Sequence, residues 1–363
     1  MKTYVVDTAA LAENARIVRE TAAPAAVWAV VKGDGYGLGV RKFAKLLKKQ
    51  GYSHFAVTEV REAEILRENG FEHEQILMLR ATCDEAELEK LVLLSVICNI
   101  GSLAEAEALH AVASRLGKAA EAHISLDTGM GRYGFLPEQL DEVVRVHRDY
   151  PMLAITGTFT HFSCAFCSRK KTEQQYARFQ AALKELTARG VNPGEVHCAN
   201  SSALFRHPEM RCDGVRVGSA LLGRLAIRTK PGLKKIGWIE ATVEQVRQLP
   251  AGWDVGYGAG YTTKKNTTIA ILGVGYYHGF GAQMGQDLFR FSDILRNCLS
   301  QVKALVTCKR LYVNVGKRRC PVLGHVGMLH TVVDVTGLDV SVGDVARLEA
   351  NPLYVKGLPI EYR

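Results

Sequence analysis

Ala26-Val27-Trp28-Ala29-Val30-Val31-Lys32 is a valine-rich apolar run that ends on a lysine and breaks into Gly33-Asp34-Gly35-Tyr36-Gly37. A short continuous apolar run stopped by glycines reads as a strand buried on both faces. Immediately downstream, Val40–Lys49 sets apolar residues at helical spacing with charged ones between them, which reads as an amphipathic helix. The pair opens a rhythm. Short apolar runs recur at His54–Val60, Ile76–Leu79, Val96–Ile100, Glu121–Leu126, Ala154–Thr160, Glu195–Ala199 and Gly214–Gly218. Helical patterns lie between most of them, at Glu62–Asn69, Leu103–Leu116, Pro137–Arg148 and Thr172–Arg189. Switching between the two periods implies βαβ units and parallel strands. Eight such runs in roughly 200 residues suit a small (β/α)8 barrel. A doubly wound sheet satisfies the same alternation; the count favours the barrel.

Near residue 233 the pattern changes, so the reading is α/β with a barrel domain over 1–232 and a mainly antiparallel β domain over 233–363. In the second part strands follow strands: Trp238–Gln248, Asn266–Leu272, Lys309–Val315, Pro321–Val326, Thr331–Thr336 and Asp344–Leu348. Turns rich in Gly, Asn and Asp separate them. One helical stretch, Gln286–Leu305, interrupts this domain, and its stripe Leu288-Phe289-Phe291-Ile294-Leu295 reads as packing.

Composition bounds the function. The 363 residues are 47% hydrophobic and 23% charged, ordinary for a globular chain of two or three domains. The net charge of +9 is spread without a long basic block, which reads as a solvated face rather than a nucleic-acid arm, while a basic surface also suits phosphorylated or anionic ligands. Nine scattered cysteines form no disulfide framework, so a reducing, cytoplasmic setting is expected. No apolar stretch is long enough for a membrane span, and Met1–Asp7 has no signal-peptide character.

Four segments carry chemistry. Lys32 closes a strand, where barrels place their active sites, and a desolvated lysine there can lose its proton and form a Schiff base. Lysines also snorkel from strand ends, and taken alone the segment fits both readings. Asn200-Ser201-Ser202 and Arg216-Val217-Gly218-Ser219 end the last two barrel runs, a recurring phosphate site. In either case Ser201 is expected to cap the helix that follows. Asp127-Thr128-Gly129-Met130-Gly131-Arg132 offers an arginine that suits a carboxylate; pairing with a neighbouring acid is the plainer alternative. Val255-Gly256-Tyr257-Gly258 reads in isolation as a turn with an aromatic. Cys164 and Cys167 lack two further ligands at metal spacing, so metal is not expected.

Together these segments resemble the alanine racemase family of fold-type III enzymes that use pyridoxal 5′-phosphate (PLP). The resemblance runs from Val6–Asn14 through Ala29–Gly39, Thr160-His161-Phe162, His197–Ser201 and Val215–Gly218 to Val255–Gly258, Gly275-Tyr276 and Gly324–Met328. It implies that Lys32 holds PLP and that Lys32 and Tyr257 of the other subunit serve as two bases on opposite faces of the substrate's α-carbon. It implies a homodimer with shared sites and an amino-acid substrate. Arg216 would face the pyridine nitrogen, supported by His161. Tyr36, Asn200, Ser201, Gly218, Ser219 and Tyr354 would hold the phosphate, with Tyr362 a second choice for the last. Arg132 and the Met328 amide would bind the substrate carboxylate, and Tyr276 would line the entrance.

This chain also departs from the family pattern. Ser125 stands where a lysine often supports the carboxylate-binding arginine. Phe166, His325 and Leu329 replace an acid, an arginine and an aspartate along the entrance corridor. The chemistry is expected to be retained with a changed surrounding. Two other readings are kept: a fold-type III decarboxylase or other Cα-modifying enzyme, and a non-catalytic PLP carrier. The first normally pairs the ring nitrogen with a carboxylate, against Arg216; the second lacks a second domain.

Overall fold

The computed structural model describes residues 1–227, 231–282, 291–307 and 311–363. Two compact units emerge, Thr8–Ile236 and a second made of Met1–Asp7 with Gly237–Arg363. The second unit therefore includes seven residues that the sequence pattern assigned to the barrel. The reason is β1 (Lys2–Val6), which pairs antiparallel with β10 (Gly237–Leu249) rather than with any barrel strand.

The unit Thr8–Ile236 is built on eight parallel strands: β2 (Ala26–Val30), β3 (His54–Val57), β4 (Gln75–Met78), β5 (Cys98–Ile100), β6 (Ala120–Ser125), β7 (Leu153–Phe159), β8 (Glu195–Asn200) and β9 (Gly214–Val217). Their order is β4-β3-β2-β9-β8-β7-β6-β5, and a parallel bridge between Leu77 and Ile97 joins the two ends. This is a barrel, with all eight expected strands present. Its interior is packed by Trp28, Val30, Ala56, Leu77 and Ile97, each buried, as a closed ring of short strands requires. The outer helices bury one stripe. In Val40–Lys49 the buried residues Val40, Phe43, Ala44 and Leu47 recur at three- and four-residue spacing. Asp84 and Ser102 cap the helices Glu85–Leu93 and Leu103–Leu116 by accepting from the amides of Glu87 and Glu105.

In the second unit β10 is the spine, pairing antiparallel with β1, β13 (Thr267–Leu272) and β17 (Val345–Leu348). Around it lie the two-residue pair β11 (Asp254–Val255) and β12 (Tyr261–Thr262), then β14 (Tyr312–Val315), β15 (Arg318–Pro321), β16 (Thr331–Asp334) and β18 (Ile360–Tyr362). The sheet is mostly antiparallel; β1 and β18 run parallel. The strand expected over Pro321–Val326 falls earlier, at Arg318–Pro321, because it pairs in a hairpin with β14. The inserted helix is Phe291–Thr307. The expected helical residues 286–290, Cys308, and the start of the Lys309–Val315 run lie outside the described residues. Among the described residues no helix is long and apolar enough to cross a membrane.

Candidate active site

The carboxyl ends of the barrel strands surround a cavity of about 540 Å³, within the size range of small-molecule sites. Lys32, Tyr36, Arg132, His161, Asn200, Ser201, Arg216, Gly218 and Ser219 all line it. Its described lining holds five cationic side chains, Lys32, Arg80, Arg132, Arg216 and Arg224, and neither Asp nor Glu. Glu87, outside that lining, pairs with Arg80 at 2.8 and 3.0 Å; the positive charge of the rest suits an anionic ligand.

Lys32 follows β2 directly. Burial first, then the charge of Arg132, pull its amine below the ordinary lysine range, against a smaller opposing pull from Glu62. The next four residues form a left-handed turn, with φ of 61° at Gly33, 50° at Asp34, 64° at Gly35 and 58° at Tyr36. A non-glycine residue in this region costs about 1–2 kcal/mol, so Asp34 and Tyr36 must be held there. Asp34 N–H donates to Glu62 Oε1 at 2.9 Å, and Val40 N–H to Asp34 Oδ1 at 2.8 Å. The buried Glu62 also accepts from the amides of Thr58 and Glu59 at 3.0 and 3.2 Å. This turn delivers the Tyr36 ring to Gly218, where a Cβ would sit 1.9 Å from Tyr36 Oη. Only glycine fits.

The helix Ser201–Arg206 is capped by Asn200, not by Ser201 as the pattern suggested. Asn200 Oδ1 accepts from the amides of Ser202 and Ala203, both at 3.1 Å. Ser201 is already the first helical residue, so its hydroxyl turns across the strand ends instead. There Ser201 Oγ accepts from the amides of Gly218 and Ala220 at 3.1 and 3.3 Å. With its lone pairs engaged, the Ser201 O–H is left to donate.

Arg132 sits on a loop organised by Asp127. The Asp127 carboxylate accepts from four amides: Gly129, Met130 and Gly131 at 2.8 Å and Arg132 at 3.1 Å. Partial burial pushes its pKa up, and the four amides outweigh that and hold it below the usual aspartate range. The acid nearest in sequence is thereby spent on backbone, and the Arg132 guanidinium lies over the Tyr133 ring, 5.7 Å from its centroid. Buried Ser125 directs its hydroxyl to the Ile100 carbonyl at 3.4 Å.

Arg216 is buried, and its hydrogen-bond partners are neutral. Nη1 donates to His197 Nδ1 at 2.6 Å and to the His197 carbonyl at 2.8 Å; Nη2 donates to the Thr160 carbonyl at 2.6 Å. His161 Nδ1 lies 3.4 Å from Nη2. Because Arg216 only donates, His197 Nδ1 is an acceptor, and His197 Nε2–H must donate to His123 Nδ1, 2.9 Å away. Burial, then the charge of Arg216, lowers His123 and His161 to about 3 each, and His197 well below its usual value. Burial also draws Arg216 down to about 10, leaving it cationic at neutral pH. His123, Glu62 and Arg80 were not singled out from sequence. A polar residue on an inward position of a buried strand, as in Ala122-His123-Ile124, is the signal that could have found the first.

The remaining candidates belong to the β unit. Tyr276 N–H donates to the Gly327 carbonyl and Tyr277 N–H to that of Met328, at 3.0 and 3.1 Å. Gly279 abuts the Tyr354 carbonyl, and Gly260 the His325 ring. Segments 256–260, 275–279 and 324–328, far apart in sequence, thus meet in this unit. Tyr257 is 86% exposed. Phe166, in the barrel unit, is half exposed and lines the cavity. Cys164 and Cys167 sit in one turn, Cys167 N–H donating to the Cys164 carbonyl at 3.0 Å, and neither is in a disulfide.

A parallel barrel whose strand ends gather a desolvated lysine and four arginines, followed in the chain by a β unit, defines a class of barrel proteins made to hold an anionic ligand next to a reactive amine. The chain belongs to the alanine racemase family: the family's N-terminal domain matches residues 6–225 and its C-terminal domain residues 237–353. It is 34% identical to the alanine racemase of Desulfosudis oleivorans, over 93% of this chain and 85% of that one. Its fold is similar to that of the alanine racemase of Clostridium difficile 630, with a TM-score of 0.85, 24% identity and coverage of 100% and 95% of the two chains. A solved alanine racemase from Bartonella henselae, 25% identical with a TM-score of 0.82 and coverage of 100% and 99%, carries covalently bound pyridoxal phosphate.

Proposed function

We propose that the chain is a PLP-dependent amino-acid racemase acting on alanine-type substrates. The observation that carries this reading is the cavity itself, where a lysine of lowered pKa stands among arginines with no carboxylate in the described lining. PLP fits that donor set: the Ser201 O–H and the Tyr36 hydroxyl packed on Gly218 would hold a phosphate, and Lys32 would take the aldehyde. Ser219 lines the same end, and Asn200 holds the cap of the helix that borders it. When bound, PLP supplies an electron sink that acidifies the substrate's Cα–H.

The chain's own groups do the rest. Lys32 holds the cofactor and moves the proton on one face of Cα. Tyr257 of a second chain holds the proton on the other face. Its exposure, and that of Tyr276, Tyr277, Met328 and Leu329 in the same unit, support an interface there. Arg216, with His161 beside it, would face the ring nitrogen as a fixed cation that keeps its proton at neutral pH. That restrains the sink and favours return of the proton to Cα. Arg132 grips the substrate carboxylate as a fork, joined by the Met328 amide, and Tyr276 borders the way in.

The test is incubation of the PLP-loaded protein with L-alanine, L-serine and larger L-amino acids in heavy water, followed by chiral separation and mass detection. Deuterated D-product is expected, and it names the preferred substrate. Absence of exchange with every substrate, or a product lighter by a carboxyl group, would refute the racemase reading.

A further inference from the structure

We propose that Cys198 and Cys212 are an oxidisable dithiol that closes into a disulfide under peroxide and thereby loosens the phosphate end of the cavity. The two sulfurs lie 3.7 Å apart in hydrogen-bond contact. A disulfide needs about 2.05 Å, so closure asks for a small, directed movement. Both residues already occupy irregular backbone. The β8–β9 register slips between His197 and Ala199, at Cys198 itself, and Cys212 has a φ of 52°, a left-handed conformation that a non-glycine residue adopts at a cost. These are the points where two otherwise paired strands can yield.

The pair is asymmetric in the way sequential oxidation requires. Cys198 is fully buried, its thiol 3.1 Å from the Met210 carbonyl; Cys212 is partly exposed. The hydrogen bond from Cys198, and a smaller one from Tyr176, outweigh burial and pull the Cys212 thiol down, whereas Cys198 is pushed up. Cys212 is therefore the attacking thiolate and Cys198 the resolving thiol. The Cys212 sulfur attacks one oxygen of hydrogen peroxide; the O–O bond breaks, an S–O bond forms, and hydroxide leaves and is protonated to water. The Cys198 sulfur then attacks the sulfenic sulfur, the S–S bond forms, and hydroxide leaves with the Cys198 proton as a second water. Two thiols and one peroxide give one disulfide and two waters.

The position gives the reaction a consequence. Cys198 directly precedes Ala199-Asn200-Ser201, the cap and the hydroxyl at the strand end, and Cys212 feeds β9, which carries Arg216. Drawing the sulfurs together shifts both strands where they hold these groups. That consequence, though not the disulfide, rests on the PLP reading above.

The experiment treats PLP-loaded protein with near-stoichiometric hydrogen peroxide and denatures it in N-ethylmaleimide. Peptides are mapped without reduction, and retained PLP is measured after gel filtration. The expected result is a Cys198–Cys212 linked peptide lighter by two hydrogens than its parts. PLP affinity should fall about tenfold, the scale of one lost charge-assisted hydrogen bond, and recover with dithiothreitol. Cys212→Ser should abolish both changes while binding PLP normally before oxidation; the wild-type peptide map stands alone should that variant not fold. Recovery of both thiols as maleimide adducts, under peroxide that oxidises exposed Cys83, would overturn the proposal. A linked peptide with unchanged PLP affinity would overturn the loosening. Reduced protein that binds no PLP at all would remove the cofactor reading and leave the disulfide to be judged on the map.

Discussion

Arg216, His197 and His123 form a chain of donors in which a cation is stabilised by neighbours that stay neutral. This fixes how the fold answers to acid. Each histidine binds a proton near pH 6.5 when unfolded, yet in the fold His123 is held to about 3 and His197 well below its usual value. Above pH 6.5 neither state carries these protons and the pair has no effect on stability. As pH falls from there towards 3, the unfolded chain takes up protons that the native chain refuses, so stability declines. The slope is about 1.4 kcal/mol per pH unit for each histidine. Urea unfolding at pH 7, 6 and 5 should show this loss, and His123→Asn should lessen the slope by one histidine's share; equal slopes for the two proteins would contradict the neutral pair. Asp127 makes a second residue-level case. Asp127→Ala removes the acceptor of four loop amides, so the loop no longer presents Arg132 in one pose. Steady-state kinetics should show KM for the amino acid rising about tenfold or more with a smaller change in kcat, the scale of a charge-assisted contact. An unchanged KM would separate Arg132 from the substrate.

The element that most shapes the site is the left-handed turn Gly33–Tyr36. Gly35→Ala is expected to cost about 1–3 kcal/mol, because φ is +64° and the new Cβ would meet the Val40 backbone at 3.2 Å. Thermal or urea denaturation reads the loss, and covalent PLP uptake at Lys32, trapped with borohydride, reads the displaced lysine. The sequence displayed the eight barrel strands because each is a compact apolar run, and helices such as Val40–Lys49 because their buried positions repeat at helical spacing. It could not display this turn: Gly33-Asp34-Gly35-Tyr36 advertises freedom, and the acid that fixes its sense, Glu62, comes from another helix. Asn200 and Ser201 were both legible as site residues, but which of them caps the helix depends on where β8 stops. The His197–His123 contact joins residues 74 apart, and no local pattern announces it. Lys32, Arg132, Asn200, Ser201, Arg216, Gly218 and Ser219 were readable because they lie at or just past the ends of apolar runs, whereas Tyr36 and His161 came only with the family resemblance.

At the scale of the molecule, the proposed division of labour between subunits has its own test. Lys32→Ala and Tyr257→Phe homodimers should each be nearly inactive, the second still binding PLP. Unfolding and refolding them together should restore roughly a quarter of wild-type activity, since half the dimers are mixed and each mixed dimer has one intact site. No recovery on mixing would place both bases in one chain. The membership of β1 in the second unit reaches further, into how the chain is made. Val6 leaves the ribosome roughly 230 residues before Gly237, an interval of roughly ten to fifty seconds at ordinary elongation rates. Throughout it, all the strands of the barrel emerge, while β1 waits for partners that are not yet translated. Synthesis therefore imposes a schedule in which the intervening unit can finish before the strand that precedes it is used. Refolding from denaturant offers every partner at once and removes that schedule, so the chain made in a cell and the chain renatured in a tube reach one structure by different orders of assembly.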